Sequence, residues 1–105
     1  MAYKYKYTNN FTTAFNHYLD YLLYSVGGTG SIQAATNFLR DFDDTISLIA
    51  DFPFGFTTCE DLDLPNEQKI HFRHLKYKIF YHIENNDTII VDLICHDSQD
   101  YKKLF

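Results

Sequence analysis

The feature that most constrains the fold is a change of apolar periodicity along the chain. Between residues 11 and 49, apolar side chains recur every three or four residues, which is the spacing of amphipathic helices. After residue 69, apolar and polar side chains alternate, as they do on strands that bury one face. Tyr3, Tyr5 and Tyr7 alternate with lysines in the same way. The chain thus contains, in order, one strand, two helices and three strands, so we predict an α+β domain.

The two predicted helices have recognisable ends. Asn9-Asn10 precedes the first apolar stripe and is predicted to cap it, and the glycine-rich residues 27–30 end it. Ser31 is predicted to cap the second helix. That helix closes at Asp51-Phe52-Pro53, because the residue before proline avoids the helical conformation. The short connection makes the pair an antiparallel hairpin.

Three strands follow a predicted acidic loop at residues 53–68. They are expected at Lys69 to Leu75, Tyr77 to Glu84 and Thr88 to His96. A tight turn at Asn85-Asn86-Asp87 joins the last two, since Asn and Asp tolerate positive φ. The tail from Asp97 to Phe105 has room for one or two helical turns. We therefore predict a mostly antiparallel four-stranded sheet, with the helical hairpin packed on one face and a short C-terminal helix.

Length and composition narrow the classes of protein. A chain of 105 residues forms one domain, predicted to span residues 1–105, and its ten Phe and nine Tyr supply large core side chains. A net charge of −5 argues against a non-specific nucleic-acid coat. Cys59 and Cys95 lack the spacing of a zinc site or a disulfide framework, so we expect no metal and no cofactor. Without a signal peptide or a membrane span, a soluble cytoplasmic protein is expected.

Strand alternation also sorts charged residues onto one face of the sheet. In the last strand, Leu93 and Cys95 are assigned to the helix side, and Ile94 and His96 to the other side. The predicted uncovered face carries Lys69, His71, Arg73, Lys78, His82 and His96. Residues 69–105 carry a net charge of +1 and residues 1–68 carry −6, so this face is predicted to be locally positive and to attract a phosphate. Solvated lysines and histidines are, however, ordinary on strands.

One acidic cluster lies on the second predicted helix. Asp41, Asp43 and Asp44 are predicted to form a solvated face, with partner contact as the second interpretation. His74 is expected to point toward the core.

The order of elements and three local patterns resemble the RelE/ParE superfamily of bacterial type II toxins. The run Tyr77-Lys78-Ile79-Phe80-Tyr81-His82-Ile83 resembles the family strand Y-R-[IL]-[FVI]-Y-x-[IV]. The segment from Ile94 to Tyr101 resembles the ending I-x-H-x-R-x-D-Y, and the run from Lys69 to Arg73 also matches. Lys78 and Ser98 stand where the family commonly has arginine. The resemblance implies a growth-inhibiting toxin held inactive by a cognate antitoxin.

This resemblance leaves two activities open. RelE-like members cleave mRNA in the ribosomal A site, and this metal-independent endoribonuclease is our first hypothesis, with the ribosome and mRNA as partners. ParE-like members block DNA gyrase and are not nucleases, which is the alternative. A protein-binding module without chemistry is a third interpretation. Cleavage requires a ribose 2′-oxygen to attack the adjacent phosphate, helped by a base, cations and an acid.

The cleavage hypothesis assigns roles to six residues. His96 is the first choice for acid–base work, because imidazole exchanges a proton near neutral pH. Arg73 would clamp a phosphate, Lys78 would supply a point charge, and Tyr101 would stack a base or assist proton transfer. Lys69 and His71 are predicted to bind substrate. The acidic helix face, including Asp41 and Asp44, is expected to meet basic side chains of the antitoxin.

Overall fold

The computed structural model describes residues 3–25, 31–52, 57–58 and 67–99, and it has the predicted α+β architecture. Helix α1 spans Asn9–Asp20 and continues as a π-helical turn at Tyr21–Ser25, and α2 spans Ser31–Asp51. The strands are β1 (Lys4–Tyr7), β2 (Thr57–Thr58), β3 (Gln68–His71), β4 (Tyr77–Glu84) and β5 (Thr88–His96). Residues 97–99 form a turn, and the rest of the predicted C-terminal helix lies outside the described residues.

Thr8 caps α1, so the prediction of a cap at Asn9-Asn10 is wrong. The backbone of Thr8 is extended, and its side-chain oxygen accepts a hydrogen bond from the Phe11 N–H at 3.1 Å. Both asparagines already lie in the first turn of the helix. The Thr8 hydroxyl also donates to the Asp92 carbonyl at 2.8 Å, which ties the start of α1 to β5.

The two helices pack as the predicted antiparallel hairpin. Phe11 lies against Phe42 with ring centroids 5.8 Å apart, and Phe15 lies against Phe38 at 5.3 Å. The two helices therefore run in opposite directions. Helix α2 ends at Asp51, as predicted from the proline two residues later. None of the helices among the described residues is long and apolar enough to cross a membrane.

Within the described residues, the sheet has five strands in the order β1-β5-β4-β3-β2. Strand β1 runs parallel to β5 and all other neighbours are antiparallel, so the mostly antiparallel sheet is confirmed. The fifth strand is the two-residue β2, which lies within the predicted loop. Strands β4 and β5 have the predicted bounds, and the turn between them places Asn85 and Asn86 at φ values of 55° and 59°.

A β-bulge at Asp92 reverses the predicted orientation of the end of β5. Phe80 pairs with Leu93 while Tyr81 pairs with Val91, so β5 contains one extra residue at this point. Ile94 consequently joins the helix-side core. Leu93 and Cys95 pack with Phe80 in a second buried cluster. The predicted assignment of residues 93–96 is therefore wrong, because one inserted residue changes the phase of every later side chain.

The second sheet face is not bare where the sequence predicts cations. Phe80 and Cys95 are fully buried, Leu93 is nearly so, and the Lys78 side chain is only 10% exposed. The predicted solvent-exposed face is thus wrong for the middle of the sheet. Solvent reaches the cations of this face at the ends of the strands, where His71 is 57% exposed.

Candidate functional site

The structure brings two of the predicted site residues together across β3 and β4. His71 and Lys78 are register partners. The His71 Nε2 and the Lys78 Nζ each lie 3.8 Å from the same carboxylate oxygen of Asp97. Asp97 has no predicted role, although it directly follows His96 of the I-x-H-x-R-x-D-Y pattern. Lys69 lies on β3 opposite Phe80, two positions before His71 and therefore on the same face.

His96 lies on the opposite, helix-covered side of the sheet. It is the register partner of Tyr77, and the two rings meet edge to face with centroids 5.2 Å apart. Tyr77 in turn packs against Tyr18 of α1 and Phe38 of α2. The His96 N–H also donates to the Tyr18 hydroxyl at 3.0 Å. The predicted convergence of His96 with Lys78 is therefore wrong, because the adjacent pairs Tyr77–His96 and Lys78–Cys95 point to opposite faces.

Local hydrogen bonds also determine which His96 nitrogen holds a proton. The backbone N–H of Ser98 donates to His96 Nδ1 at 3.1 Å, and the Ser98 hydroxyl lies 2.8 Å from the same atom. A backbone N–H can only donate, so Nδ1 is an acceptor and the neutral ring carries its proton on Nε2. The lone pair that a general base would use is thus already bonded within the turn.

Arg73 lies in the connection between β3 and β4, held against α2. Its backbone N–H donates to Asp41 Oδ1 at 3.2 Å, and the N–H groups of His74 and Leu75 donate to Oδ2 at 3.0 and 2.9 Å. Asp41 is buried, so the prediction that it belongs to a solvated face is wrong, whereas Asp43 and Asp44 are exposed as predicted. The prediction that His74 points toward the core is also wrong, because this residue is exposed.

Two grooves lie beside the helices. One of about 410 Å³ lies between α1 and β5, and one of about 300 Å³ lies beside α2. The first is lined by Asn10, Thr13, Ala14, His17, Tyr18, Leu93, Ile94 and Gln99. The second is lined by Asn37, Arg40, Asp41, Asp44, His74 and Leu75. No predicted site residue is among these lining residues, and Tyr101 lies outside the described part of the chain.

A second charged cluster surrounds His82 at the other end of the same sheet face. His82 Nδ1 lies 2.6 Å from Asp92 Oδ2, and His82 Nε2 lies 3.0 Å from Glu84 Oε2. The carboxylate of Glu67, the residue before β3, lies 3.6 Å from His82 Nδ1. This cluster was not predictable from the sequence, because the Asp92 bulge brings its members together and no spacing along the chain indicates it.

Burial and close packing of like charges perturb this cluster. Burial, together with a hydrogen bond and repulsion from Asp92, raises the pKa of Glu67 to about 9. Burial alone would lower the pKa of His82, but hydrogen bonds to Asp92 and Glu84 outweigh it and raise the pKa. These two carboxylates therefore favour the protonated form of the imidazole.

The predicted positive field is consequently offset by acidic neighbours. His71 and Lys78 share Asp97, and His82 lies among three carboxyl groups. The fold and these clusters define a small α+β protein. Its charged groups form separate ion-paired sets on one face of the sheet, and His96 lies on the other face.

Comparison with known proteins identifies the family. Residues 5–101 match the family described as "ParE toxin of type II toxin-antitoxin system, parDE". The chain belongs to this family, and the RelE/ParE resemblance is confirmed. Among curated proteins, no sequence matches significantly.

Solved structures with the same fold include toxins of both branches. The chromosomal ParDE TA system from P. aeruginosa aligns with a TM-score of 0.66 and 10% identity, covering 90% of this chain and 96% of that one. The isolated E. coli RelE toxin gives 0.60 and 10%, covering 94% and 88%. A mutant of E. coli RelE in complex with an antitoxin RelBc peptide gives 0.58 and 12%, covering 97% and 90%. At these identities, the similarity concerns the fold.

Proposed function

We propose that this type II toxin acts by contact with a protein target, as ParE-like inhibitors of DNA gyrase do, and that it does not cut RNA. The observation that carries the proposal is the placement of His96 and Lys78 on opposite faces of the sheet. Cleavage by a ribose 2′-oxygen requires an acid–base group and cations around a single phosphate. We infer that two groups on opposite faces of the sheet do not act on the same phosphate.

The state of each group supports the same proposal. His96 Nδ1 accepts a hydrogen bond from the Ser98 N–H, so its lone pair is occupied. Lys78 is largely buried beside Asp97, which partly neutralises it and would compete with a phosphate for it. Membership of a family described as ParE toxins is a further argument for gyrase as the target.

The helices supply a surface suited to protein contact. Tyr24 is 79% exposed and Ile32 78%, and these are unusually exposed for large apolar side chains. Tyr21, Leu39, Leu48 and Phe52 are also exposed on or beside the helices. We assign this surface to the cognate antitoxin, in keeping with the toxin–antitoxin peptide complex of the RelE relative. Asp43 and Asp44 remain available for its basic side chains, whereas Asp41 is not.

Expression of the chain without an antitoxin tests the mechanism. We expect growth arrest, altered plasmid supercoiling and no new mRNA ends on ribosomes. His96→Ala and Arg73→Ala should both still arrest growth, because neither side chain belongs to a catalytic centre in this proposal. In a purified assay, the chain should inhibit supercoiling by gyrase at a stoichiometric concentration.

The competing hypothesis makes the opposite set of predictions. Cleavage through His96, with Arg73, Lys78 and Tyr101 in the assigned roles, stays a prediction that the same experiment decides. New mRNA ends that disappear in the His96→Ala variant, with unchanged plasmid topology, would overturn the gyrase proposal. Binding of the antitoxin should weaken as salt rises if Asp43 and Asp44 contribute to it.

A further inference from the structure

Three potential metal ligands converge on the side of the sheet away from the helices. They come from three neighbouring strands, since Glu67 directly precedes β3, His82 lies on β4 and Asp92 is the bulge residue of β5. One ligand atom from each residue lies within 4.8 Å of the other two. His82 Nδ1 is 2.6 Å from Asp92 Oδ2 and 3.6 Å from Glu67 Oε2. The three side chains are thus close enough together to share one ion.

The burial of Glu67 is a second observation at this cluster. Its side chain is only 4% exposed, and its Oε1 atom has no hydrogen-bond partner among the described residues. A buried carboxyl oxygen without a partner loses its hydration without compensation. The other oxygen, Oε2, lies 3.6 Å from His82 Nδ1, so this buried carboxyl group reaches the cluster, where a cation would compensate its lost hydration.

We propose that Glu67, His82 and Asp92 bind a divalent transition-metal ion of the Zn²⁺ type, with a further position open to water. One imidazole and two carboxylates form a nitrogen and oxygen donor set suited to such an ion. Metal–ligand distances near 2.1 Å place tetrahedral ligand atoms about 3.4 Å apart. Small side-chain rotations bring the observed contacts of 2.6 and 3.6 Å to that spacing.

Glu84 completes the site without touching the ion. Its carboxylate lies 3.0 Å from His82 Nε2, so it accepts the proton on that nitrogen and leaves Nδ1 to face the cluster. A carboxylate behind a ligating histidine is the usual way to fix its orientation. A dication at the centre would neutralise the two ligating carboxylates. The bound ion would link β3, β4 and β5.

The neighbouring His71 supplies a matched control. It also lies on a strand of this face beside a carboxylate, but it is 57% exposed and Lys78 already occupies the other side of Asp97. A resident ammonium group leaves no place there for a dication.

Calorimetric titration of the purified chain with Zn²⁺ alone at neutral pH tests the proposal. We expect one ion per chain, with a dissociation constant of about 1 μM or below. His82→Asn and Glu67→Gln should each weaken binding at least tenfold, and His71→Asn should change it less than twofold. In NMR spectra, the imidazole signals of His82 should shift saturably with Zn²⁺, while those of His71 move little.

Three results would overturn the proposal. These are binding weaker than 100 μM, equal losses in His71→Asn and His82→Asn, and saturable shifts centred on another histidine. The NMR measurement uses the unmodified chain, so it remains decisive if a variant fails to fold. The growth-arrest experiments above do not depend on this site, which keeps the two proposals separable.

Discussion

Removing the Asp41 carboxylate should destabilise the whole domain. This buried group accepts hydrogen bonds from three consecutive N–H groups, those of residues 73–75, at 2.9 to 3.2 Å. A hydrogen bond to a charged group contributes roughly 1.5–3 kcal/mol. Three bonds at the lower bound give about 4.5 kcal/mol. After the substitution, water can hydrogen-bond to the exposed N–H groups of this connection and recover part of that loss. We therefore expect Asp41→Ala to lower the free energy of unfolding by about 3 kcal/mol.

The matched control lies two residues further along the same helix. Asp43 is exposed, so Asp43→Ala should change the free energy of unfolding by less than about 0.5 kcal/mol. Urea denaturation of both variants, followed by circular dichroism, measures the difference. Hydrogen exchange should also accelerate at the amides of residues 73–75 in Asp41→Ala. If Asp41→Ala loses less than 1 kcal/mol and its exchange is unchanged, the carboxylate does not anchor this connection.

Three further predictions concern single contacts. Burial raises the pKa of the Cys95 thiol to about 11, so this thiol should be unreactive in the folded chain. In a Cys59→Ser background, a thiol reagent at pH 7.5 should therefore label the chain only as it unfolds. Rapid stoichiometric labelling of the folded chain would contradict this. The φ of Asn86 is 59°, a conformation that glycine adopts more easily than alanine. Asn86→Ala should therefore lower the free energy of unfolding by about 1 kcal/mol, and Asn86→Gly should not. Equal denaturation midpoints for the two variants would argue against strain at this position. Tyr18→Phe removes the acceptor of the His96 N–H and should cost about 1 kcal/mol in the same assay, so an unchanged midpoint would mean that water replaces it.

The sequence predicts the β4–β5 hairpin well because two independent signals agree there. Alternation defines both strands, and the asparagines of the turn adopt the positive φ that the joint requires. The end of β3 is less predictable. Arg73 to Leu75 continue the strand pattern in sequence, but Asp41 captures their N–H groups and ends the pairing at His71.

The site could not be predicted from the alternation of apolar and polar residues, because that reasoning assumes that successive side chains of a strand always point to opposite faces. The extra residue at Asp92 reverses the sides of Ile94 and His96, and no residue type in β5 announces it. The same bulge aims the Asp92 carboxylate at His82. One irregularity therefore explains both the failed cationic face and the missed cluster. The family resemblance withstands this error because it depends on the order of elements, which the bulge does not change.

The parallel pairing of β1 with β5 determines when the sheet of this toxin can be completed. The sheet partners of Lys4 to Tyr7 are Thr88 to Val91, more than eighty positions later in the chain. A strand with so distant a partner cannot form its ladder until that partner has also left the ribosome. A nascent chain consequently lacks this ladder during the interval between the synthesis of β1 and that of β5. A cell that makes antitoxin alongside the toxin thus has that interval in which to have the inhibitor ready.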